Sequence, residues 1–279
     1  MQIDLVDVFG NGTLSGNPLA VVRGGEALSD EQMLALTRWL GFSETTFLLE
    51  PENAAADYRV RIFYPAGELP FAGHPTLGSA RAWLMAGGRP LTAGQIVQEC
   101  GIGLVTVRSD EDRLAFAAPP LIRKGDLTQE QRDRAVSLTG AAAGAVEAAV
   151  HIANGPDWQL LRLRSADNVL AAEPAAKASP GTDIGLAGPG GSGGADWEVR
   201  AFFADASGRL VEDPVTGSFN AGLAVHLFES GLEERSFTAA QGRKTGADGL
   251  VHCHRDADGT IWVGGTATMI AQGGALLPL

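Results

Sequence analysis

At 279 residues the chain is long enough for one large domain or two of common size, and its 45% hydrophobic and 19% charged residues suit a globular protein with a sizeable core. A formal net charge of −12 argues against nucleic acid or anionic membranes as the main partner. Two cysteines, Cys100 and Cys253, do not make a disulfide framework or a CxxC site. The N-terminus carries Asp4 and Asp7 where a signal peptide needs a basic region, and no stretch approaches the roughly 18 apolar residues of a spanning helix. A reduced, cytoplasmic compartment is therefore expected.

In chain order, short runs rich in β-branched or aromatic residues and bounded by Gly, Pro or Asp predict strands. They fall at Ile3–Val8, Leu19–Val22, Thr46–Leu49, Tyr58–Phe63, Leu104–Arg108 and Leu114–Ala117, the last two joined as a hairpin by a Ser109–Asp112 turn. In the second half they fall at Trp158–Arg164, Trp197–Phe203, Leu250–His254 and Ile261–Val263. Helices are predicted at Ser29–Leu40 with Ser29 as cap, then Gly73–Met85, Thr128–Thr139 and Gly217–Glu229. The stretch Ala171–Ala195, dominated by Ala, Pro, Gly and Ser, reads as a flexible surface loop. Organisation changes near Pro119-Pro120, which divides the chain into residues 1–118 and 119–266, with the segment from about 267 to 279 packing back onto the first half. Many short strands with few helices indicate an α+β protein whose curved sheets wrap isolated helices.

The sequence also echoes itself. Val60-Arg61-Ile62-Phe63-Tyr64 resembles Val199-Arg200-Ala201-Phe202-Phe203, and each is followed by E-x4-G-x4-G: Glu68, Gly73, Gly78 in one half and Glu212, Gly217, Gly222 in the other. The offset, 217 − 73 = 144, is about half the chain, which points to two duplicated halves.

A glycine at a helix start admits close approach by a ligand, and the free N–H groups there favour an anion. A matched pair of such starts is read as two ends facing a shared site, although either glycine alone would more simply permit a tight turn. Neither segment is a P-loop, since G-x4-G-K-[ST] is absent. His74, with Pro75 in the first turn, should be kept neutral by the positive helix end and so relay or donate a proton. Asp213 caps the following turn or faces the site, with the two readings evenly weighted. Glu44, between a helix and an apolar strand, is either solvated, the commoner state, or desolvated towards a useful base.

Four segments strongly resemble the PhzF-like (phenazine-biosynthesis) family. They are Asp7-Val8-Phe9…Gly16-Asn17-Pro18-Leu19-Ala20-Val21, Phe42-Ser43-Glu44-Thr45, Glu68 through Gly78, and Glu212 through Ser218. Asn154 to Trp158, Gln241-Gly242-Arg243 and Val263-Gly264-Gly265 fit as well. The resemblance implies the diaminopimelate-epimerase-like fold, with two similar halves that each wrap a curved mixed sheet or open barrel round a central helix. It implies an isomerase in which Glu44 acts as acid and base, assisted by His74 and Asp213. Asn17, Ser43, Gly73, Thr216, Gly217 and Ser218 would bind a small carboxylated substrate. Neither metal nor organic cofactor is implied, and a homodimer is the family expectation. Fold relatives that racemise with two thiols carry cysteine after those glycines, whereas this chain has His74 and Ser218. In the phenazine pathway the same machinery isomerises trans-2,3-dihydro-3-hydroxyanthranilate.

Other readings remain. Ser218, His74 and Asp213 suggest a serine hydrolase, although Ser218 lacks the G-x-S-x-G elbow. A non-catalytic small-acid-binding protein is the second rival. In a strand His252 and His254 share a face and Cys253 points away, which disfavours a joint metal site. Asp256-Ala257-Asp258-Gly259 lacks the later glutamate of a calcium loop and reads as a hairpin turn, and Cys100 reads as a small core residue.

Overall fold

The computed structural model describes residues 1–110 and 113–277, so two residues of the expected Ser109–Asp112 turn, Glu111 and Asp112, lie outside the described residues. The chain divides into two compact units: Met1–Ala117 with Gly264–Leu279, and Ala118–Val263.

The first unit holds β1 (Gln2–Val8), β2 (Asn17–Arg23), α1 (Asp30–Leu40), β3 (Thr45–Leu49), β4 (Tyr58–Tyr64), β5 (Gly67–Leu69), α2 (Gly73–Met85), β6 (Gln95–Cys100), β7 (Gly103–Asp110) and β8 (Arg113–Ala117). The second holds β9 (Arg123–Asp126), α3 (Gln129–Thr139), β10 (Val146–Ala153), β11 (Gln159–Leu163), α4 (Ala166–Leu170), β12 (Asp183–Pro189), β13 (Trp197–Ala204), β14 (Leu210–Asp213), α5 (Gly217–Glu229), β15 (Ser236–Gln241) and β16 (Gly249–Arg255). The last strand, β17 (Ile261–Ala275), belongs to the first unit from Gly264 onward.

The two units repeat one topology. β2 runs parallel to β3, β4 pairs antiparallel with β3 and β5, and β4 pairs parallel with β6. In the second unit β11 runs parallel to β12, β13 pairs antiparallel with β12 and β14, and β13 pairs parallel with β15. The hairpins β6–β7 and β15–β16 correspond as well. Each unit is thus a curved mixed sheet round a central helix of 13 residues, α2 or α5. Both helices are apolar nearly all round, as a helix enclosed by a sheet must be. α2 packs on β1, β2, β3, β4, β6 and β8, and α5 packs on β10 and β16.

The repeated glutamate of the E-x4-G-x4-G pattern is a structural clamp in both units. Arg61 grips Glu68 through two bonds of 2.8 and 2.6 Å, and Arg200 grips Glu212 through two of 2.9 and 2.7 Å. Each guanidinium also lies 5.0 Å above a phenyl ring, Phe63 or Phe202. The second glycine of the pattern admits close packing. A Cβ on Gly78 would lie 2.4 Å from Leu19 Cδ2, and one on Gly222 would lie 2.5 Å from the Ile152 carbonyl.

The outer helices owe their limits to local chemistry. Ser29 and Thr128 begin α1 and α3 with reciprocal capping boxes to Gln32 and Gln131, each worth about 1 kcal/mol. Gly41 and Gly140 end them with φ of 75° and 67°. α1 covers Val22, Phe47 and Phe63 with Met33 and Leu36. In the second unit Ala135, Leu161, Leu163, Val169, Ile184, Leu186 and Phe202 form the corresponding core.

Three expectations need correction. The expected loop Ala171–Ala195 contains β12, whose Ile184–Gly188 run is buried between β11 and β13. Its glycines are small because the strand is crowded: a Cβ on Gly185 would lie 2.1 Å from Phe219, and one on Gly188 would lie 2.5 Å from the Ser165 carbonyl. The strand expected at Ile261–Val263 runs on to Ala275, because Gly264 lets it pass within 2.4 Å (Cβ position to carbonyl) of Leu114. Cys100 is only half-buried, with its thiol 3.6 Å from the Gly103 carbonyl. By contrast, Cys253 points into the core with His254 outward, and Asp256–Thr260 forms a reverse turn closed by a 2.9 Å bond. No helix among the described residues is long and apolar enough to cross a membrane.

Candidate active site

In the first unit the site is built from a strained turn. Phe9 adopts φ of 67°, and the Asp7 carboxylate accepts the N–H groups of Ser15 (3.0 Å) and Gly16 (2.8 Å). Gly16 then passes so close to β1 that a Cβ would lie 2.1 Å from the Val8 carbonyl. This tie delivers Asn17, the first residue of β2, to a fully buried position.

Asn17 Nδ2 lies 3.4 Å from His74 Nδ1, and Ser43 Oγ donates to Asn17 Oδ1 at 3.4 Å. On the other edge of the ring, His74 Nε2 lies 3.4 Å from Glu44 Oε2. Four residues named from sequence, Asn17, Ser43, Glu44 and His74, therefore converge within one unit. His74 is 4% exposed, and burial pushes its pKa down to about 3. The imidazole is neutral at pH 7, as expected, and desolvation by burial is the cause. An amide nitrogen only donates, so Nδ1 carries the lone pair and Nε2 carries the proton. That nitrogen lies near the Glu44 carboxylate without the geometry of a hydrogen bond, and the Glu44 side chain is 17% exposed.

Helix starts fall into two classes. α1, α3 and α4 begin with a capping side chain, Ser29, Thr128 or Ser165. α2 and α5 have none at Ala72 or Thr216. A helix start without a capping side chain leaves its first-turn N–H groups available to another acceptor such as an anionic ligand, and Gly73 and Gly217 begin two helices of this kind.

In the second unit Asp213 is 9% exposed, and its Oδ2 accepts the Thr216 hydroxyl at 2.6 Å. Ser218 Oγ accepts the indole N–H of Trp158 at 3.0 Å, and its carbonyl accepts Asn154 Nδ2 at 2.8 Å. Trp158 in turn packs edge-on against Phe219, with centroids 5.3 Å apart. That bond occupies a lone pair of Ser218 Oγ, and among the described residues no base accepts the Ser218 hydroxyl proton as a hydrolase would require.

Sequence reasoning missed the buried amides. Gln98 on β6 donates to Thr76 Oγ1 at 3.0 Å and accepts Tyr58 Oη–H at 3.0 Å. Gln241 on β15 accepts Asn220 Nδ2 at 2.9 Å and the Thr216 N–H at 3.0 Å. The signal was present in the echo: 241 − 98 = 143, and 220 − 76 = 144, so each glutamine reaches the fourth residue of its central helix.

Comparison with known proteins agrees with this architecture. Residues 6–273 match the family model described as phenazine biosynthesis-like protein. The chain is 32% identical to antisense-enhancing sequence 1 of Schizosaccharomyces pombe, over 96% of either chain. It is 34% identical to trans-2,3-dihydro-3-hydroxyanthranilate isomerase of Pseudomonas aeruginosa, over 80% of this chain and 78% of that one. Among solved structures, a predicted epimerase of Pseudomonas aeruginosa superposes with a TM-score of 0.81 at 26% identity, covering 99% of each chain. A probable proline racemase of Agrobacterium radiobacter shares the fold at a TM-score of 0.60 and 13% identity, over 99% of this chain and 93% of that one.

Proposed function

The chain belongs to the phenazine biosynthesis-like family and is an isomerase, and from that premise we propose that it moves a proton between carbons of a small carboxylated metabolite without a cofactor. The observation that carries this reading is the Glu44–His74 pair, with a carboxylate oxygen 3.4 Å from Nε2 of a neutral imidazole.

In this reading Glu44 removes an acidic C–H proton and returns it to another carbon, which needs one group in reach of both positions. His74 offers a neutral N–H that stabilises charge building on the substrate without itself becoming a base. The uncapped N–H groups at Gly73 hold the substrate carboxylate. In the second unit Asp213 is the proposed assisting group, with Thr216, Gly217 and Ser218 as substrate contacts. The Pseudomonas aeruginosa relative's name makes trans-2,3-dihydro-3-hydroxyanthranilate the first substrate to try. A cytoplasmic homodimer completes the reading, and sedimentation of the purified protein tests the assembly.

The decisive experiment follows solvent deuterium into that compound in heavy water, comparing the parent with Glu44→Gln. Exchange by the parent and a loss of about 10²-fold or more in the variant is expected. Equal exchange by the two proteins would remove Glu44 from the mechanism. Binding without any exchange in the parent would favour a non-catalytic acid-binding protein.

A further inference from the structure

We propose that Gln241 is a positioning residue that, through Thr216, holds Asp213 as an acceptor-only carboxylate. The inference rests on the reading of Asp213 as an assisting group.

The hydrogen-bond count leads to it directly. Gln241 is 1% exposed, and its Nε2 donates to the Asp213 carbonyl at 3.2 Å and to Thr216 Oγ1 at 2.9 Å. Its Oε1 accepts the Thr216 N–H at 3.0 Å and Asn220 Nδ2 at 2.9 Å. Both donor protons and both lone-pair directions of the amide are used, which fixes its orientation. Thr216 Oγ1 accepts from Gln241, so its single proton goes to Asp213 Oδ2, over a short 2.6 Å bond of the kind made to an ionised acceptor. Asn220 Nδ2 also donates to the Thr216 carbonyl at 2.9 Å, which closes the network on the helix start. The polarity of the chain from Gln241 to Thr216 to Asp213 therefore has one direction.

The first unit supplies an internal control. Gln98 occupies the corresponding strand and ties Thr76 and Tyr58, neither of which is a carboxylate. The same amide that is architectural in one unit is extended to an acid in the other.

Gln241→Glu keeps the size but replaces a donor by an acceptor, so the Thr216 hydroxyl must turn away from Asp213. Thr216→Val deletes the hydroxyl, and Thr216→Ser restores it. The pH–rate profile for deuterium exchange into trans-2,3-dihydro-3-hydroxyanthranilate and a crystal structure of each variant give two readouts. Gln241→Glu and Thr216→Val are expected to lower kcat about tenfold and to move the acid limb up by about one pH unit. In their structures the Asp213 carboxylate should leave its parental rotamer. Thr216→Ser retains both the acid limb and the rotamer, and Gln98→Glu lowers the melting temperature without moving the limb. An Asp213 that keeps its rotamer in Thr216→Val overturns the proposal, whether or not this compound is turned over. So does an unmoved acid limb when Asp213→Asn is inactive. Parental turnover by Asp213→Asn overturns instead the functional reading of Asp213, and the assignment falls with it.

Discussion

The starts of α2 and α5 share a skeleton and differ in chemistry. Each follows an Arg–Glu clamp, begins at a glycine without a capping side chain, and carries an inner glycine pressed against a strand. At α2 the first turn bears a buried neutral imidazole 3.4 Å from the Glu44 carboxylate. At α5 it lies beside a carboxylate whose Oδ2 accepts a hydroxyl proton from Thr216, itself fixed by a glutamine. Duplication preserved what the fold needs and released what the chemistry needs. A repeated motif therefore locates a site better than it assigns the site's residues.

The contrast breaks most visibly at Glu44, the proposed acid and base. Glu44→Gln is expected to slow exchange by about 10²- to 10⁴-fold, against about tenfold to a hundredfold for Asp213→Asn, both read as deuterium uptake by mass. Equal losses would mean that the two helix starts share the proton chemistry.

The clamps differ in burial and should differ in worth. Arg200 and Glu212 are 4% and 14% exposed, and Arg200 also donates to the carbonyls of Val169 and Ala172. Glu212→Gln strands that guanidinium and should cost about 3–5 kcal/mol in urea unfolding. Arg61 and Glu68 are 24% and 41% exposed, and Glu68→Gln should cost under about 1 kcal/mol. Similar costs would show that burial does not distinguish the units.

The inner glycines sharpen the contrast further. In Gly222→Ala the new methyl meets the Ile152 carbonyl, which is strand backbone and cannot yield, so about 3 kcal/mol is expected. In Gly78→Ala it meets the end of the Leu19 side chain, which can turn, and about 1 kcal/mol is expected. Melting curves of the two variants decide the order.

The last contrast is in pH. His74 titrates at about 3 when folded and near 6.5 when unfolded. On acidification the unfolded chain takes up this proton first. Stability from this site is therefore complete above about pH 6.5 and is lost between about 6.5 and 3, at no more than about 1.4 kcal/mol per pH unit. His74→Asn should flatten the difference in unfolding free energy between pH 4 and 7, and an unchanged slope would refute the buried neutral imidazole.

How much of this was legible depended on range. The bounds of α2 and α5 were readable to the residue because Gly73 and Gly217 open apolar runs of helical composition. Ser29 was readable as a cap because capping is decided within three residues. β12 was not: Gly185-Leu186-Ala187-Gly188 carries no strand propensity, and only the crowding of Phe219 and Ser165 makes glycine the residue that fits. Glu68 and Glu212 were visible as a pattern, yet their guanidinium partners lie 7 and 12 residues away, a spacing that no single period predicts.

The sequence by itself determined the duplication, the central helices, the α+β class and the family, because these rest on local order and on segments matched along the chain. The tertiary structure decided that Asn17, Ser43 and Glu44 meet His74, 57 residues apart in the longest case, and that a glutamine on β15 governs the start of α5. It also decided that the imidazole is neutral, since desolvation depends on everything packed round a group, and no stretch of sequence states what that will be.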